Sequence, residues 1–461
     1  MKYSKLILVM LFLLPTFFLQ GQLAITNEAV WRDGVFSSRS VPGFTFMNDG
    51  RHYTRLSGSV IQKYDFTSGE LRDTIFNGEN FAAVEGFGGS FSAYAFSADE
   101  SKIMLTTAYE PIYRRSSKAF FWIYDRGTSK LEPVFPEGKH RYATFNPQAD
   151  KVAFVYANNL YYKDLISGKI HQITEDGAAN AIINGATDWV YEEEFGFAVG
   201  FSWSPDGKKL GYYRFDERHV REFTMTNYTG ELYPEYETFK YPKVGEANSY
   251  VDIYIYDVEK GSRVKADLGS EKDQYVPRIK WTQSADQLCV YRLNRLQNHL
   301  ELLLADSKTG ATTLLLEEKE TEYVSEMLFD NLNFLEDGKH FVWTSERDNW
   351  HHIYLFDMNG KLIRPMTSGM WDVTRLYGID EENGLLYYQA AKKSPMQREI
   401  YTVKLDGAVT STITDKPGWN NAQFSRTFDY YVLNHATINS PATYTVYDRS
   451  GQALRVIEDN A

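Results

Sequence analysis

The sequence "WSPDGKKLGYYRFD", residues 203–216, indicates the fold of the chain, because its pattern recurs along the chain. It begins with an aromatic residue, continues through a turn rich in Asp, Gly and Pro, and ends in a strand-like run of large side chains. A second strand and a second polar turn follow, as in "IYIYDVEKGS", residues 253–262. The pattern occurs eight times, starting at Phe46, Phe96, Phe145, Trp203, Trp281, Phe334, Ile379 and Phe424.

The spacing of these eight starts predicts the architecture. Successive starts are 50, 49, 58, 78, 53, 45 and 45 residues apart. A period near 45 to 50 residues, built from short strands and tight turns, is typical of propeller blades with four antiparallel strands. We therefore predict an all-β fold in which residues 41–461 form one eight-bladed β-propeller. The alternative is a β-sandwich, which would have to produce eight matched patterns by chance.

The intervals that start at Phe145, Trp203 and Trp281 exceed 50 residues, and on the last two we predict insertions in the fourth and fifth blades. The fourth-blade insertion, Asp216 to Tyr250, is rich in Tyr, Pro and Glu and lacks clean alternation. Loops that leave a rigid scaffold often bind ligands or partners. A surface loop without a role is the alternative.

Composition excludes several classes of function. The net charge is -12 and no Lys/Arg-rich block is present, so we expect no nucleic-acid partner. The single cysteine, Cys289, allows neither an internal disulfide nor a thiolate metal site. The nine histidines show no ligand spacing, and we expect no metal and no cofactor.

The N-terminus has the layout of an export signal. Two lysines precede an apolar run from Leu6 to Leu19, and small and polar residues surround Gly21. We predict a signal peptide over residues 1–22, an N-terminal segment over 23–40, and a periplasmic or extracellular location. An uncleaved membrane anchor is the alternative.

The phrase "DWVYEEEFG", residues 188–196, places Glu192, Glu193 and Glu194 among large aromatic residues. We assign it to the connection between the third and fourth blades. Adjacent strand residues point to opposite faces, whereas a helical turn capped by Asp188 lets neighbouring carboxylates border one cavity. Such a pair suits a primary ammonium with three N–H donors. A solvated acidic turn is the alternative, and a metal site is a less favoured one than an ammonium site.

A second candidate lies in "YEPIYRRSSKAFFWIYD", residues 109–125, inside the second repeat. Arg114 and Arg115 open a connection there, and an arginine beside the glutamates could bind a carbonyl or carboxylate oxygen of the same ligand. A surface ion pair is the alternative.

Several phrases together resemble the propeller of dipeptidyl peptidase IV enzymes, a branch of the prolyl oligopeptidase family of serine peptidases. They are "NGATDWVYEEEFG", "SWSPDGKKLGYYRFDE", "YPKVGEANS", "RLNRLQN", "HIYLFDMNGK" and "MTSGMWDVTRLYG". The resemblance implies release of X-Pro or X-Ala dipeptides from free peptide N-termini.

The resemblance also implies roles for individual residues. Glu193 and Glu194 would hold the α-ammonium of the substrate, and Arg114 would bind the carbonyl oxygen of the second residue back from the cut. Arg115 is a less favoured substitute for Arg114. The segment Asp216 to Tyr250 resembles an arm through which family members form homodimers.

Catalysis in this family uses a Ser/Asp/His triad in an α/β-hydrolase domain after the propeller, with the serine in Gly-x-Ser-x-Gly. The chain has no such motif, so we identify no catalytic residue, expect the hydrolase domain to be absent, and expect the chain alone to be inactive and poorly soluble. One alternative is a stand-alone secreted propeller that binds peptides or serves as a scaffold. The other is a non-peptidase propeller with structural glutamates.

Overall fold

Each of the eight repeats folds as one antiparallel sheet, which confirms the predicted eight-bladed propeller. The fold comes from a computed structural model that describes residues 24–461 except 231, 409 and 415. The predicted signal peptide therefore lies outside the described residues. A π-helical turn, Glu28–Arg32, precedes the first blade.

The first four blades take the chain from Thr45 to Lys265. The strands of blade 1 are Thr45–Phe46, His52–Ser57, Val60–Asp65 and Leu71–Asn77. Those of blade 2 are Ala93–Phe96, Lys102–Pro111, Ser117–Asp125 and Lys130–Pro133. Those of blade 3 are Arg141–Phe145, Lys151–Tyr156, Asn159–Asp164 and Ile170–Gln172. Those of blade 4 are Ile182–Asn184 with Phe201–Trp203, then Lys209–Asp216, Tyr250–Asp257 and Ser262–Lys265.

The last four blades take the chain from Gln274 to Glu458. The strands of blade 5 are Gln274–Tyr275 with Ile279–Trp281, then Gln287–Asn294, His299–Asp306 and Thr312–Lys319. Those of blade 6 are Asn333–Phe334, His340–Ser345, His352–Asp357 and Leu362–Pro365. Those of blade 7 are Val373–Asp380, Leu385–Ala390, Glu399–Lys404 and Thr410–Thr412. Those of blade 8 are Trp419–Phe424, Tyr430–Thr437, Ser440–Asp448 and Ala453–Glu458.

Two sets of connections lie on opposite faces of the ring. Because consecutive strands run antiparallel, the turns between strands 1 and 2 and between strands 3 and 4 share one face, which we call the turn face. The loops between strands 2 and 3 and the connections between blades share the other, the loop face. Turn-face connections are four or five residues long, whereas a loop-face connection reaches 33 residues, between Asp216 and Tyr250.

Aspartates at the ends of the third strands shape the turn face. The Asp306 carboxylate accepts the N–H groups of Lys308 and Thr309, and Asp357 accepts those of Asn359 and Lys361. The bond from Thr309 lowers the pKa of Asp306, and the bond from Lys361 lowers that of Asp357. These local bonds explain why the sequence repeats a polar turn after each third strand.

Apolar side chains pack between neighbouring blades and form the core. Between blades 8 and 1, Phe46 and Phe66 pack with Val432 and Val446. Hydrogen bonds also join these two blades, because the Arg455 guanidinium of blade 8 donates to the carbonyls of Phe66 and Thr67 in a turn of blade 1. Every blade in the described part of the chain consists of consecutive strands, so side chains close the ring.

The insertions differ partly from the prediction. Blade 4 carries the expected one, which forms a separate hairpin from Glu222–Asn227 and Glu235–Lys240. The prediction for blade 5 was wrong in position, because the extra residues, 320–332, follow its last strand and contain the 3-10 turn Glu326–Leu328. A further 3-10 turn, Gly78–Phe81, joins blades 1 and 2.

Candidate functional site

The three glutamates lie inside blade 4, and their assignment to the connection between blades 3 and 4 was wrong. The segments Ile182–Asn184 and Phe201–Trp203 both pair with the same strand, Lys209–Asp216. Residues 185–200 therefore form an excursion that interrupts the first strand of the blade. The sequence did not show this because the pairing depends on a strand that comes later in the chain.

Two glycines close the base of this excursion. The N–H of Gly200 donates to the carbonyl of Gly185 at 3.0 Å, and the N–H of Tyr213 donates to the carbonyl of Gly200 at 2.9 Å. A Cβ atom at Gly200 would lie 2.9 Å from the backbone nitrogen of Ala186, which is too close for a normal contact. Gly185 has a φ of 71°, a conformation that favours glycine. The excursion thus needs both glycines.

The predicted helical turn is present as the helix Trp189–Glu193, here called the glutamate helix. Asp188 caps it, because one carboxylate oxygen accepts the N–H of Tyr191 at 2.9 Å. The other oxygen accepts the hydroxyl of Ser249 at 2.6 Å. Asp188 is buried, and that burial raises the pKa of its carboxyl group.

Tyr191 anchors the glutamate helix to the ring. Its hydroxyl accepts the N–H of Val276 in blade 5 at 2.8 Å. Its ring packs edge-on against Phe215 with the centroids 4.8 Å apart, and in a tilted arrangement against Phe195 at 5.0 Å. The helix therefore has a fixed position between blades 4 and 5.

Glu192, the first of the three glutamates, has a structural role. It is only 1% exposed, and its Oε1 atom accepts the backbone N–H groups of Arg115 at 2.6 Å and Ser116 at 2.8 Å. The Arg115 guanidinium donates in return to the Glu192 carbonyl at 3.3 Å. These bonds fasten residues 112–116 of blade 2, here called the Arg114 loop, to the glutamate helix.

Glu193 and Glu194 do not bond to backbone N–H groups as Glu192 does. Glu193 Oε2 lies 2.9 Å from Arg114 Nε, in an ion pair whose arginine side chain is 71% exposed. Glu194 follows as the helix C-cap, is exposed, and makes no side-chain hydrogen bond or ion pair to another described residue. The structure thus brings together Arg114, Glu193 and Glu194 and gives Arg115 a structural contact. Their ligand roles stay predictions.

The hairpin packs against both parts of this site. Tyr241, just after it, lies 4.3 Å from Trp189 of the glutamate helix between ring centroids, and Phe239 lies 5.9 Å from Tyr113 of the Arg114 loop. A cavity of about 220 Å³ remains between the three segments.

The sequence analysis missed Glu217, which lines this cavity and is only 5% exposed. Burial, reinforced by the nearby Asp188 carboxylate, raises the pKa of Glu217 to about 7. No signal in "FDERHV" marks this residue, because its burial depends on the hairpin that folds over it.

The loop-face side of blades 5 to 8 carries exposed apolar side chains. They lie in the connections, or at the start of a strand in the case of Trp419, and are Leu296, Tyr323, Met327, Met370, Met396, Trp419 and Ile438. Across the described residues, we find no group of three His, Cys, Asp or Glu side chains placed to hold a metal. No helix in the described ranges is long and apolar enough to cross a bilayer.

Comparison with known proteins agrees with this architecture. Residues 57–442 match the family model for the dipeptidyl peptidase IV (DPP IV) N-terminal region. The chain is 26% identical over 490 residues to a probable dipeptidyl peptidase 4 from Aspergillus flavus, covering 100% of this chain and 62% of the relative. It is 30% identical over 402 residues to a probable dipeptidyl-aminopeptidase B from Botryotinia fuckeliana, covering 79% of this chain and 43% of the relative.

Solved structures give the same result. The crystal structure of Porphyromonas gingivalis dipeptidyl peptidase 4 superposes with a TM-score of 0.89 at 37% identity, covering 96% of this chain and 63% of that chain. A putative dipeptidyl aminopeptidase IV from Bacteroides ovatus shares the fold, with a TM-score of 0.72 at 20% identity over 92% of this chain and 60% of that one. The chain thus spans less than two thirds of the length of these proteins. It belongs to the dipeptidyl peptidase IV family, and residues 57–442 correspond to the N-terminal region of that family.

Proposed function

We propose that this chain is the substrate-recognition propeller of a dipeptidyl peptidase IV-like serine exopeptidase, which releases X-Pro or X-Ala dipeptides from peptide N-termini. Glu193 and Glu194 hold the α-ammonium group of the peptide, and Arg114 binds the carbonyl oxygen of the second residue back from the cut. The observation that supports the proposal is that the three glutamates differ in the contacts of their carboxylates.

This difference leaves the carboxylates of Glu193 and Glu194 to bind a ligand. Glu192 is occupied by two backbone N–H groups, while Glu193 contacts only an exposed arginine and Glu194 is exposed. A primary ammonium has three N–H donors and forms charge-assisted bonds with carboxylates. A peptide whose amine is acetylated offers one neutral donor and leaves the carboxylates without a cation. The site therefore selects free N-termini.

Arg114 is placed to act on the same ligand. Its Nε atom holds Glu193, and the remaining N–H groups of its guanidinium face solvent because the side chain is largely exposed. One guanidinium can thus orient the carboxylate and still donate to a peptide carbonyl.

Catalysis would come from an α/β-hydrolase domain in the part of the relatives' length that this chain does not span. The apolar side chains exposed on the loop face support a partner domain there, since large exposed apolar side chains are common at interaction sites. We further propose export of the protein, and homodimer formation through the hairpin, which exposes Tyr228, Tyr233 and Tyr236. A stand-alone peptide-binding propeller is the second candidate, because Arg114, Glu193 and Glu194 all belong to the propeller.

Fluorescence anisotropy tests the proposed site with the peptide Ala-Pro-Ala-Lys(fluorescein) and its N-acetylated form. We expect the free peptide to bind at least tenfold more tightly. The matched control is Glu259→Gln, which removes an exposed carboxylate on the turn face and should leave both affinities unchanged. Equal affinity for the two peptides would refute the proposed ammonium site.

A further inference from the structure

The cavity behind the glutamate helix contains a carboxylate without a bonded partner. Glu217 follows the second strand of blade 4 and is only 5% exposed. Its side chain makes no hydrogen bond or ion pair within the described residues, although it lines a cavity of about 220 Å³. An ionisable group buried to this extent normally has a partner, so an unpaired one suggests a functional constraint.

The cavity places Glu217 between the elements that build the amine site. Its walls come from the Arg114 loop, the glutamate helix with its cap, the hairpin, and parts of blades 3 and 4 that include Asn158 and Ile183. The titratable or charged groups that face Glu217 or share its cavity are Asp188, Glu192, Tyr113, Arg141, Glu237, Lys240 and the adjacent Asp216. Asp188 and Asp216 act against the ionised carboxyl, whereas Lys240 of the hairpin favours it.

We propose that Glu217 is a positioning residue that couples the hairpin to the glutamate helix, so that ionised Glu217 tightens the binding of an ammonium group at Glu193 and Glu194. This inference rests on the proposed function. The ionised carboxylate attracts Lys240 at the hairpin end and adds negative potential behind the helix. The protonated form loses both effects and removes the repulsion with Asp188.

Thermodynamic linkage determines whether the ionisation of Glu217 raises or lowers the affinity for an ammonium group. A cation bound near a carboxyl group favours its ionised form, so the same ionisation must favour the cation. Burial and the Asp188 carboxylate raise the pKa of Glu217 to about 7, which places this change between pH 6 and 8. Two unit charges about 10 Å apart change an affinity roughly fourfold at an effective dielectric of about 40 and roughly sixteenfold at about 20. Because ionisation is incomplete at pH 6 and pH 8, the change between these pH values is smaller, roughly fivefold.

The test compares the 461-residue chain with Glu217→Gln at pH 6 and pH 8, using Ala-Pro-Ala-Lys(fluorescein). The amine of the peptide titrates identically with both proteins, so it cancels when the two pH ratios are divided. We expect the affinity ratio between pH 8 and pH 6 to be roughly fivefold greater for the wild type. Glu237→Gln, an exposed residue at the same cavity, is the matched control and should behave as the wild type.

Hydrogen exchange provides a second readout that needs no ligand. At pH 8, Glu217→Gln should change amide protection in both the hairpin and the glutamate helix, and at pH 6 in neither. Unchanged protection at both pH values, or equal affinity ratios for the two proteins, would overturn the inference. If exchange shows the coupling but neither protein binds the peptide, the ammonium site is refuted and with it the predicted effect on binding.

Discussion

On the turn face, every connection has four or five residues and is held by its own side chains, as at Asp306 and Asp357. On the loop face, the connections extend up to 33 residues, and distant segments hold one another in place. Glu192, for example, bonds to backbone groups 76 and 77 residues away. The turn face therefore depends on local chemistry and stabilises the blades, whereas the loop face depends on long-range contacts and carries the candidate site.

The largest difference between the faces should appear in ligand binding. The double substitution Glu193→Gln and Glu194→Gln removes two charge-assisted contacts, each contributing about 2 kcal/mol. Affinity for Ala-Pro-Ala-Lys(fluorescein) should fall about a thousandfold, as measured by anisotropy. The double substitution Glu259→Gln and Asp306→Asn on the turn face should change it less than twofold. A comparable loss from both pairs would mean that net charge, and not the site, attracts the peptide.

Glycines should also differ between the faces. Gly200→Ala forces a Cβ atom against the backbone of Ala186 and should lower the free energy of unfolding by about 3 kcal/mol. Gly338 lies in a turn-face connection with open space around it and a φ of 63°. Gly338→Ala should cost only about 1 kcal/mol, the strain of a left-handed alanine. Urea unfolding measures both, and equal losses would contradict the close approach at Gly200.

Glu217→Gln should stabilise the protein in a pH-dependent way. Because the pKa of Glu217 is raised in the folded protein, wild-type stability falls as pH rises from about 4 to about 7 and then stays level. The variant lacks this loss, so its free energy of unfolding at pH 8 should exceed that of the wild type by on the order of 2 kcal/mol. Urea unfolding at pH 5 and pH 8 measures the gain, and the same gain at both values would show that Glu217 does not titrate in this range.

The smallest effect should come from a turn-face aspartate. Asp306→Asn weakens the bonds to Lys308 and Thr309 and should lower stability by less than about 1 kcal/mol near neutral pH. The pKa of Asp306 is lowered in the folded state, so its contribution is present above about pH 4 and is lost as pH falls below that. The difference between variant and wild type should therefore shrink toward pH 2. A difference that grows on acidification would contradict this account.

The same contrast explains what the sequence could predict. The number of blades was predictable because each turn-face connection repeats a local pattern that begins near residues such as Phe46 and Trp203. The helix and its Asp188 cap were predictable for the same local reason. The place of the excursion was not, since two short strands share one partner that lies later in the chain. Nor was Glu217, whose burial depends on the hairpin.

The decisive measurement is a crystal structure of the protein with a bound Ala-Pro-Ala peptide. We expect the N-terminal nitrogen of the peptide to lie about 3 Å from carboxylate oxygens of both Glu193 and Glu194, with Arg114 donating to a peptide carbonyl. We also expect Glu192 to keep its bonds to Arg115 and Ser116. A peptide whose N-terminus lies away from the glutamate helix, or contacts only Glu192, would contradict it.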